Sequence, residues 1–411
     1  SQSARYYSSA SIININSLVP DFSSKPLRTK AGFKYGSFGL IQPFATVNAR
    51  ISRKSHAGIS LSYTNAHGEY PFLLTYGNLS DTIASRKNSD IKALNLDASY
   101  VYSFTNKQSL SCKIYYYNSE RGLPGAIVFY NPFAKQRLWN KDLMSAIQYK
   151  NNFTDKFALF ANIKFSQNYL RYLDPEYLNE AGELDSKYLQ REYYGSVVGR
   201  YKLIDSLSFS LASDFFVNTL NANLYNYSNP IRYTSLTALA TNFTNKRIEI
   251  SGNVLGTIVM EKSFAGEPIP NRFKLSPTAC FSYKILKNGQ IRLRLLYKDI
   301  FRIPTFNDLY YTLVGNNELQ PENAKQVNMG ISAFTGFWMF KYLSLNANAF
   351  YNNVSDKIVA IPTKNLFIWS MQNIGVVDIR GFELHADIET NTFWSDFKIF
   401  QTAKYTFQRA L

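Results

Sequence analysis

From about Leu27 to the end of the chain, apolar and polar residues alternate with a period of two over unusually long stretches. In FALFANIKF, Phe157, Leu159, Ala161, Ile163 and Phe165 share one face, while Asn162, Lys164 and Ser166 take the other. LSLNANAFY repeats this, with Leu343, Leu345, Ala347, Ala349 and Tyr351 set against Ser344, Asn346 and Asn348. In IRLRLLYKDIF, Ile291, Leu293, Leu295 and Tyr297 oppose Arg292, Arg294 and Lys298. A two-residue period is the signature of extended chain, because successive side chains leave a strand on opposite sides. A face of rings and aliphatic chains opposite a face of amides and cations suits a strand with lipid on one side and water on the other.

The connections sharpen that reading. Short polar turns, at residues 53–56, 105–108, 154–156, 204–206, 244–246, 287–290, 335–342 and 391–397, alternate with long irregular segments at 71–89, 121–138, 173–186, 222–232, 263–272, 303–323 and 359–368. Long and short stay in step, so every second connection lies at the same end. That is the arrangement of an outer-membrane barrel, with strands of roughly 10–16 residues. The chain is therefore expected to be all-β, a transmembrane antiparallel up-and-down β-barrel of about 17 strands over residues 27–411. Bacterial barrels have even strand numbers and must close, so either further strands at the C-terminal side or another chain is expected to complete the ring. Residues 1–20 lack the rhythm and contain one short strand, ASIININS; residues 21–26 read as a linker.

Composition agrees. Aromatic residues make up 16% of the 411, with 30 Tyr and 31 Phe against 4 Trp, and charged residues only 18%. There is no run of 18 apolar residues, which excludes a helical membrane span. Paired rings such as Tyr193 with Tyr194 and Phe215 with Phe216 fit interfacial girdles. The net charge of +16 first suggests nucleic acid, but the cations are spread over turns, strands and loops and are not gathered in a stripe. A cationic lumen and mouth facing lipopolysaccharide or an anionic ligand accounts for it, and nucleic acid is not an expected partner. Cys112 and Cys280 fall on opposite faces of their strands and are expected to be free.

Two late segments carry a family resemblance. FRIPTFNDLYY with GNNELQPEN, that is Arg302, Pro304, Thr305, Phe306, Asp308, Leu309, Tyr310, then Gly315, Asn316, Leu319, Pro321 and Glu322, resembles the late-barrel signature of TonB-dependent outer-membrane receptors. NIGVVDIRGFEL, with Gly375, Ile379, Gly381 and Glu383, resembles that family's next strand, and SARYYSSASIININS the end of its plug domain, departing at Ser11 and Ile12. The resemblance implies a barrel of about 22 strands around an N-terminal plug, of which this chain holds the plug's tail and lacks the last strands. It also implies active import of a large scarce nutrient, with a TonB-type energy-coupling protein acting through the plug. YYYNSERGLPGA, with Arg121, Gly122, Pro124 and Gly125, is similar to the cobalamin-receptor branch. Partners expected from this reading are outer-membrane lipid and lipopolysaccharide, the coupling protein, a bulky small-molecule ligand and a surface lipoprotein.

A corrinoid or siderophore needs flat apolar contact and a few placed donors, so the ligand candidates are Arg121, Tyr130, Arg137, Trp139, Tyr310, Tyr311 and Asn316. The motif residues Arg302, Pro304, Phe306, Asp308, Leu309, Gly315, Pro321, Glu322, Gly381 and Glu383 are expected to be mainly structural, shaping a loop over the mouth. No cofactor is expected apart from calcium in the loop DPEYLNEAGELDS, where Asp174, Glu176, Glu180, Glu183 and Asp185 offer hard oxygen ligands without EF-hand spacing. His56, His67 and His385 have no metal-ligand spacing, and no catalytic motif appears. The rival readings are a receptor for an iron siderophore, haem or oligosaccharide, a passive channel without a plug, and a soluble adhesion protein.

Overall fold

The computed structural model describes residues 3–9, 25–75, 81–125, 127, 131–177, 179–180, 182–224, 227–264, 269–286, 290–311, 314–337, 340–362, 369–390 and 398–411. The strands run β1 (Leu27–Gly36), β2 (Leu40–Ser52), β3 (Ser55–Ala66), β4 (Pro71–Leu74), β5 (Thr82–Ser85), β6 (Ile91–Thr105) and β7 (Gln108–Gly122). There follow β8 (Arg137–Asn152), β9 (Phe157–Asp174), β10 (Leu184–Ile204), β11 (Leu207–Ala222), β12 (Ile231–Thr244) and β13 (Ile248–Lys262). The last are β14 (Arg272–Lys284), β15 (Ile291–Arg302), β16 (Glu322–Phe337), β17 (Phe340–Pro362), β18 (Trp369–Thr390) and β19 (Phe400–Ala410), with one short helix, α1 (Phe306–Tyr310), after β15.

Seventeen of these strands form one antiparallel sheet in which each pairs with its neighbours in sequence. The short β4–β5 hairpin stands apart. It corrects the expectation of an irregular segment over 71–89, its two four-residue strands being too short to display a period. Sheet strands reach 23 residues in β17, beyond the expected length, because pairing continues above any lipid span. One connection also breaks the long-and-short rhythm: β1 and β2 are joined by a single 3-10 turn, Ser37–Gly39, with Phe38 at φ 61° and Gly39 at φ 69°.

The alternation resolves into an outer and an inner face. Phe157, Ile163 and Leu345 are exposed, Ile163 at 67%, together with Val197, Leu211, Leu239 and Phe273. Their neighbours in sequence, such as Val198, Ala212 and Ala238, are buried at 1% or less. An apolar belt along the sheet's solvent-facing side and a packed opposite side exclude a soluble sandwich, whose apolar residues meet between two sheets. Cys112 and Cys280 are free.

The sheet is strongly curved. Tyr310 packs against one cluster that joins Phe306 to Tyr188 of β10 and Leu220 of β11, and against a second that joins Leu309 and Leu319 to Ile358 of β17. Six strand spacings laid flat would separate β11 from β17 by about 29 Å, so the sheet must wrap for two clusters that share one side chain to reach both.

Because the belt faces hydrocarbon, Ile163→Arg should cost about 2–4 kcal/mol of stability, whereas Ser166→Arg, on the opposite face of the same strand, should cost under about 1 kcal/mol. Urea unfolding in lipid vesicles measures both.

Candidate functional site

The sheet's inner side is occupied at two levels. At the first, residues 3–9 lie against the wall of β10–β13. Ala4 is fully buried among Val198, Ala212, Leu236, Ala238 and Leu255. Asp214, itself fully buried, accepts hydrogen bonds from the backbone N–H of Ala4 (3.0 Å) and Arg5 (2.8 Å) and from the hydroxyl of Tyr194 (2.9 Å). The Arg5 guanidinium donates to both carboxylate oxygens of Glu192 at 3.2 and 2.9 Å, and Lys164 reaches the same carboxylate at 2.6 Å. Arg5 is also sandwiched between the rings of Tyr194 and Phe216, at 4.5 and 4.4 Å. Such a cation gains from ring and carboxylate together. Lys298 then donates to the carbonyl of Ser9 at 2.6 Å. The expected strand ASIININS lies outside the described residues.

At the second level, the segment after β15 folds inward across the mouth. Thr305 caps α1: its hydroxyl accepts from the backbone N–H of Asp308 and the Asp308 carboxylate accepts from the N–H of Thr305, a capping box. Arg302 holds that carboxylate at 3.2 Å and Glu322 at 2.9 Å. Glu322 also accepts from the N–H of Ile358 at 2.6 Å. Arg232 donates to Glu261 at 2.8 Å and to the carbonyl of Pro304 at 2.8 Å, and lies over Phe306 at 4.7 Å. Tyr310 donates to the other oxygen of Glu261. Asn316 donates to the carbonyl of Met371 at 3.0 Å, tying the far end of the segment to β18. A Cβ on Gly315 would stand 2.8 Å from three backbone atoms of Leu309 and Tyr311, so the return turn needs glycine there.

Tyr188 and Tyr311 stack at 4.0 Å in this roof. Burial raises the phenols of Tyr310 and Tyr227 far above the usual value and pushes Tyr311 up to about 12. At physiological pH these rings stay neutral.

The motif residues thus meet as a brace. Arg302, Pro304, Phe306, Asp308, Leu309, Gly315 and Glu322 converge on the roof, and Pro304 and Pro321 are buried. Gly381 lies on β18, where a Cβ would stand 2.1 Å from the carbonyl oxygen of Phe407. Glu383 faces Asn348 across the β17–β18 pair. The proposed ligand residues split. Tyr310, Tyr311 and Asn316 belong to the roof, and Arg121 points inward, donating to Asn140 at 2.8 Å. Arg137 and Trp139 stand on the outer face by the register Gly122↔Arg137 and Glu120↔Trp139. There Arg137 is engaged by Asp90 at 2.7 Å and Glu120 at 2.6 Å. Tyr130 lies outside the described residues. The calcium candidates also disperse: Asp185 pairs with Arg171 at 2.8 Å and Lys187 at 2.9 Å, Glu176 pairs with Lys135, and Asp174 accepts from Gln136. The carbonyl of Glu183 accepts from Asn179, next to Glu180. Among the described residues no three His, Cys, Asp or Glu side chains are grouped to hold a metal ion. The sequence reading missed Asp214, Glu192, Arg232 and Glu261, whose partners lie on other strands or in residues 3–9.

A barrel wall with an inward strap and a braced roof is matched by the family model described as TonB dependent receptor-like, beta-barrel, over residues 29–411. The chain belongs to that family. Its members are outer-membrane β-barrels, which places this TonB-dependent receptor barrel in the outer membrane. The copper transporter OprC is structurally similar, with a TM-score of 0.71 at 13% identity, covering 95% of this chain and 62% of OprC. The FrpB iron transporter from Neisseria meningitidis, F5-1 variant, gives 0.71 at 13% identity, covering 93% of this chain and 63% of FrpB. At these identities the likeness shows the fold alone, and the chain spans under two thirds of those proteins. A 90-residue stretch is 36% identical to the vitamin B12 transporter BtuB of Vibrio vulnificus (strain YJ016), 22% of this chain and 14% of that protein.

Asp214→Ala leaves two backbone N–H groups and one hydroxyl without their acceptor, at about 1–3 kcal/mol for each donor left buried. Amide exchange at Ala4 and Arg5 should accelerate at least about tenfold, with the strands unaffected. Arg232→Met strands the Glu261 carboxylate, fully buried beside it, and should cost about 3–5 kcal/mol, read as a lowered thermal midpoint.

Proposed function

We propose that this receptor is an active importer in which residues 3–9 are the tail of a plug domain and residues 27–411 the barrel wall. The observation that carries it is the strap itself: backbone N–H groups and an arginine from the N-terminal segment are bound by Asp214 and Glu192 on the inner wall. A passive channel has no use for a lumen filled in this way. Hydrogen bonds and one ion pair, and not a large apolar seam, make a contact that a mechanical pull can undo step by step. A TonB-type coupling protein acting on the plug would supply that pull.

The cargo proposed is cobalamin, supported by the 90-residue similarity to a vitamin B12 transporter and by the roof's neutral aromatic surface. A flat macrocycle binds by apolar area with a few donors, and Arg121, directed inward, offers one. A second reading, an iron chelate or metal cargo, draws on the structural likeness to the FrpB iron transporter, the ferric-catecholate import receptor Fiu and the copper transporter OprC.

Cells with this receptor as their sole high-affinity route should take up labelled cobalamin and lose uptake when the energy-coupling protein is deleted. Uptake that persists without coupling would make the protein a passive pore, and uptake of ferric chelates in place of cobalamin would select the second reading.

A further inference from the structure

Both carboxylates that hold the strap are shared with donors that belong to the wall. On Asp214, the backbone N–H groups of Ala4 and Arg5 are joined by the hydroxyl of Tyr194 at 2.9 Å. On Glu192, the guanidinium of Arg5 is joined by the ammonium of Lys164 on β9 at 2.6 Å and by the side-chain amide of Asn218 on β11 at 3.2 Å. Register fixes these neighbours in place. Lys164 faces Tyr194 across the β9–β10 pair and reaches diagonally to Glu192, which itself faces Asn218 across β10–β11.

The two cations use the same oxygen. Lys164 and Nη1 of Arg5 both meet Oε1 of Glu192, the lysine at 2.6 Å and the arginine at 3.2 Å, while Nη2 of Arg5 reaches Oε2 at 2.9 Å. A guanidinium fork binds a carboxylate best through both oxygens, and here one of them is already taken at the shorter distance. The two cationic nitrogens therefore stand within about 6 Å of each other, close enough to repel. None of the three side chains is more than 35% exposed, so water screens that repulsion only in part. A lysine that merely braced Glu192 for Arg5 would leave the fork both oxygens.

Withdrawal of the strap changes the account in the wall's favour. Glu192 keeps Lys164 and Asn218, and Asp214 keeps Tyr194, so neither carboxylate is left bare. A buried carboxylate stripped of its only cation is strongly destabilising, and that penalty would oppose release. We propose that Lys164 is a resident stand-in for Arg5: it weakens the docking of the strap and holds Glu192 paired once the strap is drawn away, so that the cradle stays ready to receive it again. This deepens the importer reading and rests on it for the withdrawal step. Lys164 is thus a positioning residue whose removal tightens a contact, although it forms an ion pair there.

The test is amide exchange at Ala4 and Arg5 in the full-length receptor in lipid vesicles, which reports how often the strap opens. K164M and K164Q should slow that exchange about tenfold, since the like charge beside Arg5 is gone, and K164R should exchange as the wild type does. In an R5M background, K164M should slow nothing, because the interaction it relieves is with Arg5. Heat-modifiable migration checks that each variant is folded. Exchange in K164M and K164Q as fast as in the wild type, or faster, overturns the proposal and makes Lys164 a simple brace. Slowing that persists in the R5M background also overturns it. The readout needs no transport: slowed exchange in a receptor that shows no coupled uptake would leave the stand-in role standing while the importer reading fell.

Discussion

Hydrocarbon offers no partner to a peptide group, and each unpaired N–H or C=O exposed to it costs several kcal/mol. Everything in this chain follows from meeting that demand. Seventeen strands pair in sequence order with few register shifts, so no peptide in the belt waits on a distant segment. Pairing fixes the side-chain period at two, and the period divides the sequence into an outer set chosen for lipid and an inner set free to be polar. The inner set is where Asp214, Glu192, Arg232 and Glu261 sit, each impossible one residue earlier or later in its strand.

The inward segments obey the same demand without the sheet's help. Residues 303–321 leave the ladder at Pro304, which has no N–H to lose, and its carbonyl is taken by Arg232. The helix that follows has only five residues, too short to satisfy itself, and it relies on Thr305 and Asp308 at one end and on Asn316, which donates its N–H to the carbonyl of Asp308, at the other. Arg302, Asp308 and Glu322 form one chain of charges, so the roof's position is set by the strands on both sides of it.

Most of the wall was legible in the sequence because a period of two and a sorting of turn lengths need no knowledge of partners. The β4–β5 hairpin was not, since PFLL and TIAS are too short to alternate. Helix α1 carried a readable signal, Thr305 followed three residues later by Asp308, but FNDLY is too brief for a helical period to confirm it. The division of the ligand candidates could not be read at all. Arg121 and Arg137 are separated by a loop, and only the pairing Gly122↔Arg137 decides that one side chain enters the lumen and the other leaves it. Within a strand, relative facing is written in the sequence; between strands it depends on register.

That distinction explains why the strap is the least visible part of the machine. Its sequence, ARYYS, has no apolar period, and its order comes from acceptors 187 to 210 residues away on β10 and β11. A segment held by a buried carboxylate, a shared ion pair and two rings is specific in position yet thin in buried apolar area. Each bond is stronger for being shielded from bulk water, and each is lost singly when the chain is drawn away. The wall, by contrast, cannot yield at one strand without exposing the ladders on both sides to lipid. In the proposed importer, force applied to the N-terminal side would be met first by the strap, and the barrel would keep its shape while the strap is drawn away.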